Sequence, residues 1–155
     1  MSNGFASLAE RLRRTVEDAA PRLRRISEAD AASPWAPGKW TRKEVIGHLI
    51  DSASNNHGRI VRAALQGEVT LPGYAQDEWV RLQDHAGAEW ALLVNLWRAY
   101  NLHLARVIAR VPADKASAVC RIGDNEPLTL GALAEDYLRH LEHHLAQVGS
   151  GSPGR

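Results

Sequence analysis

Apolar residues recur every three or four positions in four separate stretches of this chain, a spacing typical of amphipathic helices. In the first stretch Pro21 interrupts the pattern, which predicts a kink or two consecutive helices meeting there. We expect a loop at residues 32–38, where Pro and Gly end the periodicity. The apolar stripe of the first stretch comprises Phe5, Leu8, Leu12, Val16, Ala19, Leu23 and Ile26.

The second predicted helix has start and stop signals at both ends. Thr41 is expected to be the N-cap, and Glu44, three residues later, completes a capping box. Gly67 is a natural C-terminal cap. The apolar stripe of this helix passes through His48, which predicts that this histidine faces the interior.

The second half of the chain contains two more predicted helices. Residues 68–87 lack a long period and are expected to form a loop with at most a short helix. A third helix is predicted over about residues 88–111, followed at 113–128 by a small hairpin or an irregular loop. Thr129 should cap the last helix, which ends at Gly149.

Four long helices with connections of moderate length predict an all-α domain, a four-helix bundle that occupies residues 1–149. The Gly, Ser and Pro residues of segment 150–155 predict a disordered tail. Bundles of this kind build metal and ligand sites between facing helices.

Composition narrows the function classes. The 155 residues are 45% hydrophobic and 24% charged, which suits one globular domain. The net charge is only +1, and we interpret the arginines of the first helix as a solvated face, so no nucleic-acid partner is expected. No apolar run approaches about 20 residues, and no signal peptide is recognisable, so we expect a cytoplasmic protein without a membrane partner. Cys120 is the single cysteine, which excludes an internal disulfide.

The histidines are the strongest candidates for chemistry. His140 and His144 lie one turn apart on the inward stripe of the last helix, a spacing at which two imidazoles can share a metal ion. His48 supplies a third imidazole from another inward stripe. Three such residues favour a metal site with open coordination positions over histidines satisfied in the core, which is the alternative.

The other histidines are expected to lie outside this site. His143 is rotated by about 100° from the inward stripe. His57 lies about half a turn from the face of His48. His85, in or beside a loop, and His103, off the main stripe of its helix, are both interpreted as surface residues.

Three polar residues lie within one turn of the proposed ligands. Asp51 could accept a hydrogen bond from a ligand imidazole, or could be a plain surface carboxylate. Gln147 and Tyr137 could each orient a ligand or contact substrate, although Tyr137 suits a core aromatic better. Glu142 is not placed as the acid of an HExxH motif, so a local general base of that type is absent.

Three segments, taken in order, resemble the DinB/YfiT-like superfamily of metal-dependent four-helix proteins. They are Trp35 to Ser52, which contains His48, then Tyr74 to Trp79, and His140 to His144. The resemblance implies that His48, His140 and His144 bind a divalent ion such as zinc or nickel. It also implies a homodimer.

Members of this superfamily include thiol S-transferases that use bacillithiol, mycothiol or glutathione, and a mycothiol-dependent isomerase. The segment from Tyr74 to Trp79 is most similar to the YfiT/bacillithiol-transferase branch. We therefore expect a metal-dependent transferase that joins a low-molecular-weight thiol to an electrophile held against this segment. A hydrolase using the same site, or a non-catalytic metal-stabilised dimer, is the alternative.

Overall fold

Four long helices form a bundle, and three short strands lie beside it. The computed structural model describes residues 4–149. Its helices are α1 (Gly4–Arg24), α2 (Glu28–Ala31), α3 (Arg42–Gln66), α4 (Gln76–Leu82), α5 (Trp90–Ala109) and α6 (Leu130–Gly149). Its strands are β1 (Glu68–Leu71), β2 (Val119–Ile122) and β3 (Leu128–Thr129), and two short 3-10 turns cover His85–Gly87 and Ala113–Lys115. The predicted tail at 150–155 lies outside the described residues.

The four long helices pack so that α1 and α3 each contact both α5 and α6. Fully buried Trp97 and Leu104 of α5, Leu12 of α1 and Leu138 of α6 lie in the shared core. Arg42, at the start of α3, donates from Nε to the carbonyl of Val148, near the end of α6, at 3.1 Å. This contact brings the beginning of α3, which carries His48, to the end of α6, which carries His140 and His144.

The predicted helix signals are confirmed. The Thr41 side chain accepts from the Glu44 N–H, and the Glu44 carboxylate accepts from the Thr41 N–H, so the capping box is formed at both positions. Gly67 ends α3 with φ of 81°, a left-handed conformation that favours glycine. Thr129 Oγ1 accepts from the N–H of Ala132 at 3.1 Å and caps α6.

The break expected at Pro21 lies elsewhere. Helix α1 continues through Pro21 to Arg24, and the junction with α2 falls at residues 25–27. Because Pro21 is near the C-terminal end of α1, it removes one helical N–H where the helix is about to stop.

Residues 68–71 were predicted to be loop and instead form a strand. β1 pairs in parallel with β2, Glu68 opposite Val119 and Leu71 opposite Ile122. β2 and β3 form the antiparallel hairpin that was one of the two expectations for residues 113–128. The sheet closes the side of the bundle next to α3 and α6. In residues 4–149 no helix combines the length and apolarity needed to cross a bilayer.

Candidate metal centre

Three imidazoles from two helices meet between α3 and α6. The Nε2 atom of His140 lies 3.2 Å from Nε2 of His48 and 3.1 Å from Nε2 of His144. One ring nitrogen from each residue lies within 4.8 Å of the other two. His48 is fully buried, whereas His140 and His144 are half-buried. Solvent therefore contacts the cluster through the two histidines of α6. The structure therefore brings together the three histidines that the sequence singled out.

The nitrogen spacing matches the ligand sphere of a transition metal. Tetrahedral zinc with Zn–N bonds of 2.0–2.1 Å separates its nitrogen ligands by about 3.3 Å, close to the two observed distances. Within residues 4–149 this is the single group of three or more His, Cys, Asp or Glu side chains arranged to hold an ion, and it contains no carboxylate. Three protein ligands would leave a tetrahedral ion one position for water or substrate.

All three imidazoles are held in the neutral form that metal binding requires. Burial, with smaller contributions from the imidazoles of His144 and His140, lowers the pKa of His48 to about 3. Burial and the neighbouring His144 and His143 lower the pKa of His140 to about 4. Burial also lowers the pKa of His144, partly offset by its hydrogen bond to Gln147.

Gln147 orients His144. The Nδ1–H of His144 donates to Oε1 of Gln147 at 2.7 Å, which leaves the lone pair of Nε2 directed at the other two imidazoles. The amide nitrogen of Gln147 lies 3.2 Å from Nε2 of His143. Thus Gln147 contacts a proposed ligand, as expected, while exposed His143 flanks the cluster without joining it.

The aromatic ring of Trp40 packs against His48. The ring of Trp40 lies 5.0 Å from that of His48 between centroids. Among the described residues Nδ1 of His48 has no hydrogen-bond partner, although it is buried. The interior face of the ligand is thus fixed by packing and by the start of α3, not by a carboxylate.

The prediction that His85 is a surface residue is wrong, and it changes the interpretation of Asp51. His85 is only 7% exposed, and its Nε2 lies 3.2 Å from Oδ2 of Asp51, itself 2% exposed. Oδ1 of Asp51 also accepts from the amide of Gln83 at 2.9 Å. Asp51 therefore binds the segment after α4 rather than a ligand imidazole. It lies near His48 in space but is already satisfied.

His85 lies in a connecting segment between helices, yet it is buried because α3 offers its ring a recess. Its ring packs over Gly47, where a Cβ would overlap the ring atoms. The missing side chain at Gly47, together with Asp51 four residues later, creates a recess on α3 that admits an imidazole. The signal available in the sequence was a glycine inside the helical stripe, four residues before an acidic side chain.

Tyr137 and Tyr74 both line a cavity beside the histidine cluster. This cavity of about 360 Å³ also contacts His140. Tyr137 is buried, as expected of a core aromatic, and its hydroxyl donates to the side chain of Asn101. The Tyr74 ring packs at 5.1 Å from Trp79 between centroids, but Trp79 lies outside the cavity on the surface. Within the segment from Tyr74 to Trp79, Tyr74 is thus the aromatic residue that lines the cavity beside the histidine cluster.

Sequence reasoning missed the polar face of α3 that forms one wall of this cavity. Ser52, Asn56 and Arg59 follow His48 in steps of three or four residues and line the cavity. Their spacing was the available signal, since it continues the stripe of His48 with polar rather than apolar side chains.

The remaining candidates lie away from the cluster. Nδ1 of His57 lies 2.9 Å from the hydroxyl of Tyr100, and the exposed His103 ring is 5.3 Å from that of His57 between centroids. Cys120 is fully buried in β2, and burial raises the pKa of its thiol, which suits a core residue rather than a nucleophile.

Comparison with known proteins identifies relatives across nearly the whole chain. The sequence profile of the DinB superfamily matches residues 10–148. A Geobacillus thermodenitrificans protein, provisionally named a metal-dependent hydrolase, is 22% identical over 126 residues, covering 81% of this chain and 71% of its own. A Bacillus mycoides protein with the same provisional name is 24% identical over 143 residues, covering 92% of this chain and 78% of its own.

Solved structures share the fold. YfiT from Bacillus subtilis, described as a probable metal-dependent hydrolase with an unusual four-helix bundle topology, matches with a TM-score of 0.75 at 21% identity. That match covers 90% of this chain and 83% of YfiT. A mycothiol-dependent maleylpyruvate isomerase matches with a TM-score of 0.71 at 16% identity, covering 98% of this chain and 65% of the isomerase. At these identities the structural likeness establishes the fold alone.

Proposed function

This chain belongs to the DinB superfamily, and on that premise we propose that it is a metal-dependent transferase that conjugates a low-molecular-weight thiol to an electrophile. The observation that carries the proposal is the convergence of three neutral imidazoles, His48, His140 and His144, without a carboxylate among them. We infer that these three residues hold a divalent ion, with zinc or nickel favoured because imidazole suits both metals.

The donor set determines the chemistry that the site would support. Three neutral ligands leave the full charge of a divalent ion in place, so that ion, when bound, would lower the pKa of a thiol or water that it contacts. The thiol proton would leave to solvent. The sulfur would then form a bond to the electrophilic carbon, and the leaving group would depart with the electrons of the bond that breaks.

The protein's own residues position the reactants. Gln147 keeps the lone pair of His144 directed into the site. His48 is fully buried and packs against the ring of Trp40, so its side of the cluster is closed to solvent. Tyr74 and Tyr137 line the cavity beside His140, where the thiol and the electrophile would lie.

The choice between thiol transfer and hydrolysis rests on the absence of a carboxylate from the histidine cluster. Activation of water for hydrolysis commonly uses a nearby carboxylate, whereas a thiolate needs no separate base once formed. Asp51 is nearby, but it is buried against His85 and Gln83. Glu126 and Asp136 line the cavity but are exposed, and neither belongs to the histidine cluster. The thiol dependence stated for the isomerase with the same fold also supports a thiol substrate.

Hydrolysis at the same site is the second candidate. The provisional name metal-dependent hydrolase, shared by the relatives from Geobacillus thermodenitrificans and Bacillus mycoides, favours it. A non-catalytic, metal-stabilised binding domain is the outcome if neither reaction is found.

The first test is metal content, measured by plasma mass spectrometry on protein purified without a metal-affinity step. A variant carrying His48→Ala, His140→Ala and His144→Ala is the control. We expect about one transition-metal ion per wild-type chain and none in the variant. A wild-type protein that stays metal-free after incubation with zinc or nickel would contradict the proposal.

Turnover then separates the candidate reactions. Thiol conjugation that is lost with a chelator and restored by metal supports the transferase. Metal-dependent ester or amide cleavage without thiol consumption supports the hydrolase. Metal binding without either reaction would identify the protein as a non-catalytic, metal-stabilised binding domain.

We also propose a homodimer, as the family resemblance implies. Leu92 and Leu96 lie one turn apart on α5 and are 59% and 45% exposed, which gives a second copy an apolar strip to cover. Sedimentation equilibrium of the wild type and of a Leu92→Lys, Leu96→Lys variant tests this. We expect a dimer that the variant weakens, and a monomeric wild type would contradict it.

A further inference from the structure

The cavity beside His140 has a charged wall whose role the metal centre does not explain. On α3 the side chains of Ser52, Asn56 and Arg59 line this cavity of about 360 Å³. They lie on the same helical face as His48, one to three turns further along the helix. A helix face packed against protein would be apolar here, so its polarity indicates a surface that contacts solvent or a ligand.

Arg59 is the notable member of this wall because its charge is not balanced. Its guanidinium lies 5.8 Å from the centre of the Tyr74 ring, and one nitrogen donates to the carbonyl of Pro72 at 3.5 Å. Within the described part of the chain no carboxylate ion-pairs with it. Burial lowers its pKa, which reflects the cost of holding this cation partly out of water, yet a guanidinium stays charged.

The acidic residues around the cavity do not neutralise Arg59. Glu126 and Asp136 also line it, but both are exposed at its rim. The carboxylate of Asp136 is already paired with Arg139 on the same helix. The deeper part of the cavity, between Arg59 and His140, therefore combines a cation with hydrogen-bonding groups.

We propose that Arg59 binds a carboxylate of the thiol substrate, so that the protein selects an anionic thiol over a neutral one. This inference rests on the proposed function, because it assumes that the sulfur lies at the histidine cluster. The guanidinium is the side chain best suited to a carboxylate, since it can donate two parallel hydrogen bonds. The Tyr74 ring lies beside the guanidinium, and Asn56, whose amide nitrogen donates to the carbonyl of Ser52 at 2.8 Å, lines the cavity one turn away.

The geometry also predicts the shape of the substrate. Arg59 follows His48 by eleven positions on α3, a rise of about 16 Å. Arg59 and His140 line the same cavity, so a molecule in that cavity can contact both the guanidinium and the cluster. The sulfur and the carboxylate should accordingly lie at opposite ends of an extended molecule, and very short mercapto acids should not reach both.

The test uses ω-mercaptoalkanoates of graded length, each paired with its neutral amide, and measures binding to the zinc-loaded protein by calorimetry. At one chain length or more we expect the acid to bind at least about tenfold more tightly than its amide. Arg59→Gln should abolish this preference, and Arg59→Lys should keep part of it as a point charge. Glu126→Gln is the matched control and should not weaken binding of the acid.

Two further arms separate the possible failures. In EDTA-treated wild type the preference for the acid should persist at lower affinity, because Arg59 does not depend on the metal. If that preference persists but zinc neither binds nor strengthens thiol binding, the proposed metal-dependent function is contradicted. The proposed role of Arg59 in binding the carboxylate is then still supported. Plain alkanoates that bind the zinc-loaded protein as tightly as the mercapto acids would place the carboxylate on the other substrate and contradict the proposal.

Equal affinity for acids and amides at every length, in wild type that still binds zinc and thiols, would overturn the role of Arg59 alone. Urea unfolding of Arg59→Gln supplies the folding control. Its midpoint should stay close to that of the wild type, because Arg59 is half-buried and lacks an ion-pair partner in residues 4–149.

Discussion

One side-chain hydrogen bond decides which nitrogen of His144 is available to a metal. Because Gln147 Oε1 accepts a hydrogen bond from the Nδ1–H of His144, the Nε2 lone pair of His144 is directed toward His48 and His140. Such contacts behind a ligand typically change metal affinity or activity by about 10- to 100-fold.

We therefore expect Gln147→Leu to weaken zinc binding by roughly 10- to 100-fold while leaving the fold intact. Competition with a chromophoric chelator measures the affinity. Gln147→Glu is the control, since its carboxylate still accepts from Nδ1 and should keep binding near or above the wild-type level. An unchanged affinity in Gln147→Leu would mean that packing alone orients His144.

The buried imidazoles also make the metal-free protein sensitive to acid. Burial and neighbouring imidazoles lower the pKa of His48 to about 3 and that of His140 to about 4. In the unfolded chain a histidine takes up its proton near pH 6.5. Between these values the unfolded state binds more protons, so stability is complete above about pH 6.5 and declines as the pH falls toward 4.

Urea unfolding in EDTA at pH 7 and pH 5 measures this loss. We expect the wild type to lose more stability between the two pH values than a His48→Gln, His140→Gln variant, in which those two groups no longer titrate. Equal losses in the two proteins would assign the acid sensitivity to other groups.

At the scale of elements, α3 combines the functional features of the molecule. Its capping box at Thr41 sets the start of the helix, and His48 follows two turns later. Gly47 opens a recess for the His85 ring, and Asp51 accepts from that ring, which ties the segment after α4 to α3. The later turns of α3, which carry Ser52, Asn56 and Arg59, line the cavity beside His140.

Gly47→Ala should place a methyl group into the His85 ring and destabilise the protein by about 1–3 kcal/mol, despite the better helix propensity of alanine. Unfolding by urea measures the free energy. The double variant Gly47→Ala, His85→Ala should recover part of this loss relative to His85→Ala alone, because the overlap is gone. Strictly additive effects would show that the ring does not restrict position 47.

At the scale of the whole molecule, the histidine cluster joins helices that are distant in sequence. His48 and His140 are separated by 92 positions, and the nearby contact from Arg42 to Val148 joins the same two helices. A metal ion bound to the cluster would therefore link the second and the last of the long helices and would stabilise the native state in proportion to its affinity.

Zinc at a free concentration of 100 times its dissociation constant should add about 2.7 kcal/mol to the free energy of unfolding. For a chain of this size that corresponds to a rise of roughly 5–10 °C in Tm. Differential scanning fluorimetry with and without zinc measures the shift. The triple histidine-to-alanine variant should show none, and a similar shift in that variant would locate zinc binding elsewhere.

Local sequence patterns were enough to predict the four long helices and their caps at Thr41 and Thr129. They also predicted that His140 and His144 share one face. These features depend on residues a few positions apart, and the helical period converts such spacing directly into a shared face. The position of His48 on an inward stripe was available in the same way. The polar continuation of that stripe through Ser52, Asn56 and Arg59 was also present, but its meaning depended on what faced it.

Three other features depend on tertiary contacts and could not be predicted from the sequence. Strand β1 exists because β2, about 50 positions away, pairs with it, and such a short segment has little strand signal of its own. His85 is buried because Gly47 and Asp51 receive it, although it lies between helices. Arg59 faces a cavity next to His140 because α3, α6 and the sheet enclose one there. In each case the cause is a contact between distant segments, which local periodicity does not encode.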